Sequence, residues 1–429
     1  MRILMLTATF FASGQTTHVL DLARGLARRG HRVDVWITHG RGGRAAHAAA
    51  VATLEEAGVA VRFLPAPVVP GRDALPLGAY DVVHAQSSWS FDLARRLAAT
   101  LDRPLVLTCH GLGLDKPAYG PALQAAARLI CVGPRVARDL QAYRSKILVI
   151  GNGVDLERFR PGIREARWTL LYAGRVDRWK RPGIEALCQA VARLPKDAQV
   201  WAAANRRLPS PRIRHLGWVA DLERVMGRVH VVVGTGRVIR EGMAAGAACV
   251  VLGREYHGPV TPEGVAGMTF PDFSGAGRRL GSPTSKAILD DLLSLYRNRT
   301  RLQELMAFGR RFAEQHLSLD AMVEATLGVY RAVTDPAGGA GGDVLAIPRS
   351  PASNEPAEPL PPEGDASRGS APDHPALQPP PKDPGPSRPV PSGPAADEPA
   401  PPGDPSAGRG RRGRRCPVAP PHRARAAGP

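Results

Sequence analysis

Residues 1–38 of the chain read MRILMLTATFFASGQTTHVLDLARGLARRGHRVDVWIT. An apolar run, RILMLT, is followed by a loop with a glycine, an amphipathic helical pattern and a second apolar run, HRVDVWIT. A basic second residue before an apolar run is also typical of a secretory signal peptide. Because the helical pattern and the second run follow directly, we interpret the stretch as a strand–loop–helix–strand unit, from which parallel sheets are built.

The same alternation recurs along the chain in two series. Strand-like runs of the first series are RILMLT, HRVDVWIT, VRFLP, DVVHAQ, PLVLTCH, RLICVG and KILVIG. Those of the second series are WTLLYAGR, AQVWAAA, IRHLG, VHVVVG and ACVVLG. Helical patterns between most of these runs predict parallel sheets that are covered by helices on both faces. We therefore predict an α/β fold of two doubly wound, Rossmann-like domains that face a cleft. They comprise residues 1–160 and residues 161–335. Helices from about 285 to 333 close the second domain, and the alternative that they reach back to the first stays open.

Residues 336–429 differ in composition from the rest of the chain and hold more than half of its 42 prolines. Such a segment buries too little apolar surface to offset its chain entropy, so we predict a disordered tail. The tail includes the basic cluster GRGRRGRR at 408–415. We interpret it as a solvated segment, with an electrostatic tether to a membrane or polyanion as the alternative.

The formal net charge is +18 and is spread along the chain without a basic stripe. Attraction to anionic ligands, or peripheral contact with an anionic membrane surface, is therefore favoured over nucleic acid binding. The number of cysteines is odd and their spacing fits no metal motif, which favours a reducing, cytoplasmic location. The cysteines are Cys109, Cys131, Cys188, Cys249 and Cys416. No apolar run approaches the ~20 residues of a membrane span.

Two candidate site residues follow strands of the first series. Gly14 lies in the loop after RILMLT, where a glycine lets a ligand approach the backbone closely, although an ordinary turn glycine fits as well. His110 follows PLVLTC at the strand's carboxyl end and precedes Gly111 and Gly113. Because ligands bind beyond the carboxyl ends of such strands, we expect His110 to donate a hydrogen bond or move a proton in the cleft.

Two cations follow the first strand of the second series. Arg175 comes directly after LLYAG, and Lys180 lies at the predicted start of the next helix. A helix N-terminus already attracts anions, so this pair predicts a clamp for a diphosphate, with a solvated charged turn as the alternative.

The stretch VVVGTGRVIREGMAAG at 231–246 holds the remaining candidates. We expect Thr235 to cap the helix and the backbone amides of Gly236, Arg237 and Val238 to face the cleft and bind phosphate. Glu241 shares its helix face with small residues, and its carboxylate suits the two adjacent hydroxyls of a ribose. The alternative is an ion pair between Glu241 and Arg237 or Arg240.

These motifs together resemble the family 4 glycosyltransferases of the GT-B fold. The matching stretches are HVLDLARGLARRGHRVDVW, DVVHAQ, LTCHG, GNGVDLERFRP, LYAGRVDRWKRP and REGMAAGAACVVLG. The most specific is GNGVDLERFRP at 151–161, which resembles the family's inter-domain hinge. The resemblance implies a retaining, metal-independent transfer of a sugar from a nucleotide sugar, which is a substrate, with no cofactor. It implies that Arg175 and Lys180 bind the diphosphate, that Gly14 lies under it and that Glu241 binds the ribose. It also places His110 beside the transferred sugar.

The chain departs from the family pattern at one position. The family carries a second glutamate eight residues before the one that Glu241 matches, and this chain has Val233 there. Two alternatives to a transferase therefore stay open: a non-catalytic protein that binds sugar nucleotides or glycans, and an epimerase of UDP-sugars. The nucleotide base, the sugar and the acceptor are not predicted.

Overall fold

The computed structural model describes residues 1–10, 13–40, 43–64, 80–219, 221–266, 271, 273–275 and 281–335. The predicted tail lies outside these residues. Within them, the chain alternates between strands and helices and forms two sheets.

The first sheet is formed by strands from the N-terminal part of the chain. Its strands are β1 (Arg2–Thr7), β2 (Arg32–Ile37), β3 (Ala60–Phe63), β4 (Val82–Ala85), β5 (Leu105–Cys109), β6 (Arg128–Cys131) and β7 (Ile147–Val149). Among the described residues they pair in the order β3-β2-β1-β4-β5-β6-β7, and all pairs are parallel. The order reverses direction between β1 and β4, which makes this the topological switch point where ligands bind in such sheets.

Helices connect these strands. They are α1 (Gly14–Arg28), α2 (Gly43–Ala46), α3 (Ala48–Glu55), α4 (Phe91–Leu101), α5 (Gly120–Ala125) and α6 (Pro134–Asp139). Three short 3₁₀ helices lie at Ser88–Ser90, Pro117–Tyr119 and Gln141–Lys146. Helix α1 begins where the Ser13 hydroxyl accepts a hydrogen bond from the Thr16 amide at 3.2 Å, which is the usual chemistry of a helix start.

The second sheet repeats the arrangement. Its strands are β8 (Thr169–Ala173), β9 (Gln199–Ala203), β10 (Ile213–Gly217), β11 (Val231–Gly234), β12 (Ala248–Leu252) and β13 (Tyr256–Pro259). In the described part of the chain they pair in the order β10-β9-β8-β11-β12-β13, with the switch point between β8 and β11. All pairs are parallel except β12–β13, which is antiparallel.

The later helices cover this sheet, and the last one returns to the first sheet. They are α7 (Arg181–Val191), α8 (Leu222–Met226), α9 (Arg237–Ala244), α10 (Pro262–Val265), α11 (Ser285–Arg297), α12 (Arg299–His316) and α13 (Leu319–Thr334). Helix α13 packs Val323 against Gly25 of α1 and Tyr330 against His84 of β4, within an apolar cluster that also contains Ile3 and Met5 of β1. The strand β1 is buried on both faces, because Leu4 and Leu6 point into a separate apolar cluster.

The chain crosses between the two sheets twice, and the two crossings touch. The Val154 amide donates to the Leu317 carbonyl at 2.7 Å, and the Leu319 amide donates to the Val154 carbonyl at 3.0 Å. A Cβ on Gly153 would lie 2.6 Å from the Cα of Leu319, so only glycine fits at this contact. The predicted hinge motif, residues 151–161, therefore lies where the two halves of the protein are tied together.

The α/β fold with two doubly wound domains is confirmed, and the strand-like runs of both series form strands. The domain boundaries stay predictions, and the last helix, α13, reaches back to the first half of the chain, where it contacts α1 and β4. Strand β13 was not predicted, because YHGP lacks the apolar run of a buried parallel strand. Among the described residues, no helix is both long and apolar enough to cross a bilayer.

Candidate functional site

The described residues line two cavities between the two halves of the chain, beyond the carboxyl ends of their strands. The larger is about 450 Å³ and is lined from the first half of the chain by Ser13 and Gly14 and from the second half by Arg175, Lys180 and other residues. The smaller is about 310 Å³, and its lining includes His110 and Asn152. We call them the diphosphate cavity and the histidine cavity. Thr235 lines the first and the adjacent Gly236 lines the second, so the two cavities meet at this peptide.

The predicted cations lie together in the diphosphate cavity. Arg175 follows β8 and is exposed, and Lys180 directly precedes α7. The Asp177 carboxylate accepts hydrogen bonds from the amides of Trp179 and Lys180 at 3.0 and 3.1 Å, which fixes the turn that carries Lys180. Burial, and to a lesser extent Arg175, lowers the pKa of Lys180, with Asp177 opposing the shift. Neither cation forms an ion pair with another described residue, so their charge is available to an anion.

The first turn of α1 faces these cations across the cavity. Ser13, Gly14, Thr16 and Thr17 all line the cavity. No heavy atom lies within 4 Å of the position that a Cβ on Gly14 would take, so space is open beside the backbone. A helix N-terminus presents unpaired amides and a positive dipole end, which together suit phosphate. The structure thus brings Gly14, Arg175 and Lys180 to one cavity, as the sequence predicted.

The start of α9 differs from the expectation in two respects. Thr235 does not cap the helix; the cap position is occupied by Gly236, at φ +60°, where glycine avoids the strain that a side chain would cause. The Gly236 amide is also not free for phosphate, because it donates to the Phe273 carbonyl at 2.6 Å. Phe273 lies far along the chain, so no local pattern could reveal this contact. Thr235 and Val238 still line the diphosphate cavity.

Glu241 lines the same cavity but is already paired. Arg237 donates from Nε to the Glu241 carboxylate at 2.6 Å, one turn along α9. The same guanidinium donates to the Asp21 carboxylate of α1 at 2.5 Å. Burial raises the pKa of Glu241, and the charge of Arg237 offsets this only in part. The predicted alternative, an ion pair with Arg237, is therefore present, while Glu241 remains in the cavity wall.

His110 occupies the histidine cavity at the end of β5. Its Nε2 lies 3.0 Å from the side-chain oxygen of Gln86, which follows β4. An amide oxygen only accepts hydrogen bonds, so Nε2 carries the proton and donates it to Gln86. Burial, followed by the neighbouring His18 and His84, holds the pKa of His110 well below its usual range. A neutral ring at physiological pH favours a hydrogen-bonding role over proton transfer, the two roles that the sequence left open.

The network behind His110 consists of neutral, buried groups. The His84 ring contacts the Thr108 hydroxyl at 2.7 Å and the Tyr330 hydroxyl of α13 at 2.5 Å. His18 contacts the Asn152 side chain at 2.9 Å. Burial lowers the pKa of His18 to about 4 and that of His84 to about 3, with Arg237 and His18 as the respective second causes.

Four residues in or directly behind these walls were not predicted. Asp21 and His18 lie three residues apart on the buried face of α1, and polar residues on an apolar helix face are a signal that the sequence contains. Gln86 could be found only once the order of β4 and β5 was known. Trp218 follows β10, is 59% exposed and lines the diphosphate cavity, whereas a tryptophan is usually largely buried.

The doubly wound pair of sheets with an inter-domain cleft is the GT-B architecture. A solved structure, that of the Anabaena protein HepE in complex with UDP-glucose, aligns with a TM-score of 0.59 at 16% identity. It covers 77% of this chain and 100% of that one. At this identity the likeness establishes the fold. Residues 12–158 also match the sequence model of the family described as Glycosyltransferase Family 4.

Two curated relatives are both named D-inositol 3-phosphate glycosyltransferase. The protein from Catenulispora acidiphila is 33% identical over 229 residues, which cover 43% of this chain and 53% of the relative. The protein from Xylanimonas cellulosilytica is 27% identical over 397 residues, which cover 75% of this chain and 92% of the relative. The chain thus matches about half the length of the first relative. These matches confirm the resemblance to the family 4 glycosyltransferases.

Proposed function

We propose that the protein is a retaining glycosyltransferase that moves a sugar from a nucleoside diphosphate sugar to an acceptor. The observation that supports this most is the diphosphate cavity, into which both halves of the chain place groups that bind phosphate. The second half contributes Arg175 and Lys180, and the first half contributes the N-terminal turn of α1. Opposed cationic and amide donors of this kind stabilise the charge that develops on a leaving diphosphate.

In this proposal the side chains and amides neutralise the diphosphate without a metal ion. Arg158, Arg175, Lys180 and Arg237 line the cavity, and Glu241 is the acid among the described lining residues. Arg158 pairs with Glu223 and Arg237 pairs with Asp21 and Glu241, so Arg175 and Lys180 supply the charge that matches a ligand with two negative charges. The nucleoside is bound beside them, with its ribose at Glu241 and its base against the exposed face of Trp218.

The sugar then extends from the diphosphate towards the histidine cavity. The two cavities meet at Thr235 and Gly236, so the bond between phosphate and sugar lies at the start of α9. Neutral His110 contacts the sugar there as a hydrogen-bonding group held by Gln86, not as an acid. The acceptor enters the same cavity. The names of both relatives contain D-inositol 3-phosphate, which makes this polyol the first acceptor to test.

Nucleotide binding tests the proposal directly. Isothermal titration with UDP, GDP and ADP should show binding of at least one of them to the full chain. Arg175→Ala and Lys180→Ala should each weaken that binding by roughly 1.5–3 kcal/mol, because each removes a charge-assisted contact. The matched control is Arg181→Ala, since this arginine is 76% exposed, pairs with Glu185 and lines neither cavity. Equal affinities in all four proteins would contradict the clamp.

A second candidate function is supported by Val233. This residue occupies the position of the missing family glutamate and is fully buried in β11, where it pairs with Tyr172. A protein that binds a sugar nucleotide without turning it over is the alternative that this observation favours. Release of free nucleoside diphosphate from the donor in the presence of inositol 3-phosphate separates the two functions, and the anomeric configuration of the product tests retention.

A further inference from the structure

Asp21 is a buried carboxylate whose partner belongs to the other half of the protein. It lies on α1, beside the first sheet, and its side chain is 4% exposed. A carboxylate in this position is costly to desolvate unless a cation pairs with it. The cation is Arg237 of α9, beside the second sheet, at 2.5 Å. A link between the two halves is therefore built into the wall of the cleft.

Arg237 uses all three of its nitrogens, each towards a different segment. One terminal nitrogen donates to Asp21, Nε donates to Glu241 at 2.6 Å, and the other terminal nitrogen lies 3.4 Å from the Gly153 carbonyl. Because the guanidinium is planar and rigid, fixing two of its edges fixes the third. Asp21 and the Gly153 carbonyl thus determine where Nε holds the Glu241 carboxylate.

This arrangement leaves Glu241 with one oxygen that an arginine holds and one that has no hydrogen bond to another described residue. The bound oxygen is Oε1, and the residue as a whole lines the diphosphate cavity. A carboxylate that must meet two ribose hydroxyls has to be held in one orientation, since each misdirected hydrogen bond is lost to water. Without Asp21, the guanidinium of Arg237 would be free to rotate and to donate to Glu241 from its terminal nitrogens as well as from Nε.

We infer that Asp21 is a positioning residue of the nucleotide site: from the opposite half of the protein, and through Arg237, it orients Glu241 towards the ribose. The inference rests on the proposed function, because it assumes that a nucleotide binds in the diphosphate cavity. Asp21 itself does not line that cavity.

The test compares each nucleotide with its 2′,3′-dideoxy form. The probe is whichever of UDP, GDP and ADP binds the wild-type chain, and isothermal titration gives the affinity ratio between the ribose and dideoxyribose forms. Asp21→Asn keeps the shape of the side chain and removes the charge. We expect it to reduce the ratio by roughly three- to tenfold, which lies in the lower part of the range of coupling between residues in one network. Asp21→Glu restores the charge and should recover part of the ratio.

The control is Asp320→Asn. Asp320 pairs with Arg29 at the end of α1 at 2.7 Å, so it is an aspartate–arginine pair outside both cavities, on the exposed surface. A purely structural Asp21 would lower the melting temperature of Asp21→Asn while its affinity ratio stayed at the wild-type value, and that result would overturn the inference. If the wild-type chain binds none of the three nucleotides, the proposed function fails, and the inference fails with it.

Discussion

The two walls of the cleft differ in the charge that their side chains carry. The wall from the second sheet carries Arg175, Lys180 and the ion pair of Arg237 with Glu241. On the side of the first sheet, the groups around His110 are neutral, with His110 bound to Gln86 and His18 bound to Asn152, and Arg135 is the cation among the described residues that line the histidine cavity from this half. In the proposed function, a diphosphate needs fixed charge, whereas the hydroxyls of a sugar need groups that form hydrogen bonds without titrating. Under that proposal the two halves of the cleft bind different parts of the donor.

The largest expected effect concerns the neutrality of the first wall. The unfolded chain protonates histidine near pH 6.5, while folded His18 and His84 stay neutral down to about pH 4 and about pH 3. The stability that these rings provide is therefore complete above pH 6.5 and is lost as the pH falls below it. Each ring loses about 1.4 kcal/mol of stability per pH unit. At pH 4 the loss is roughly 3 kcal/mol for each ring.

Urea unfolding of the full chain between pH 7 and pH 4.5 measures this loss. His84→Gln removes one titrating ring, so its unfolding midpoint should depend less steeply on pH than that of the wild type, whatever its absolute stability. His316→Gln, at an exposed position near the end of α12, is the control and should keep the wild-type slope. Identical slopes in all three proteins would mean that the first wall is charged in the folded state, and the comparison of the walls would break.

The charged wall could be predicted from sequence far better than the neutral one. Arg175 and Lys180 are five residues apart and belong to one strand–turn–helix unit, so their proximity follows from local geometry. Gln86 and His110 come from different strands, and their contact depends on β4 lying beside β5. The same limit explains why Asp21 was not predicted, because its partner Arg237 is 216 residues away in the sequence.

Local errors had tertiary causes as well. Thr235 has the right chemistry for a helix cap, but the Phe273 carbonyl binds the Gly236 amide and moves the cap one residue along the chain. The alternation of apolar runs with helical patterns predicted the fold class without such knowledge, because each strand–helix unit repeats the same burial on both faces.

The second prediction concerns His110, the residue of the neutral wall that we propose contacts the sugar. His110→Ala should lower kcat by roughly 10- to 100-fold, or about 1.4–2.8 kcal/mol, with little change in KM. The reason is that a hydrogen bond to a sugar hydroxyl near the reacting carbon strengthens in the transition state. Steady-state kinetics with the donor identified by titration provides the measurement. His39→Ala, after β2 and outside both cavities, is the control. A rise in KM alone would make His110 a ground-state binding residue.

The third prediction concerns Glu241, the acidic residue of the charged wall. Glu241→Gln keeps the size of the side chain and one acceptor but removes the charge, so nucleotide affinity should fall by about 1–2 kcal/mol. A 2′,3′-dideoxy nucleotide should bind the wild type and the variant alike, because the hydroxyl contacts are absent in both. The opposite pattern, a lower melting temperature with unchanged discrimination of the ribose, would make Glu241 only the structural partner of Arg237.

The smallest effect is expected at Trp218, the exposed tryptophan that we assign to the charged wall. Trp218 is 59% exposed, so its replacement should leave the fold intact and report on ligand contact alone. Trp218→Ala should weaken nucleotide binding by about 0.5–1.5 kcal/mol through lost stacking on the base, and Trp218→Phe should retain most of the affinity. Trp179→Ala is a demanding control. Trp179 is 48% exposed, stacks with Arg178 and Arg254, and lines neither cavity.

The two tryptophan variants remove similar surface from the same half of the protein, so they separate a contact with the base from a general effect on that half. Titration with ribose 5-phosphate, which lacks a base, completes the test, because its affinity should not respond to Trp218→Ala. If Trp218→Ala weakens ribose 5-phosphate and the nucleotide equally, the tryptophan acts on the charged part of the wall and not on the base. The charged wall would then recognise phosphate and ribose only, and selection among UDP, GDP and ADP would have to come from backbone groups at the end of β10.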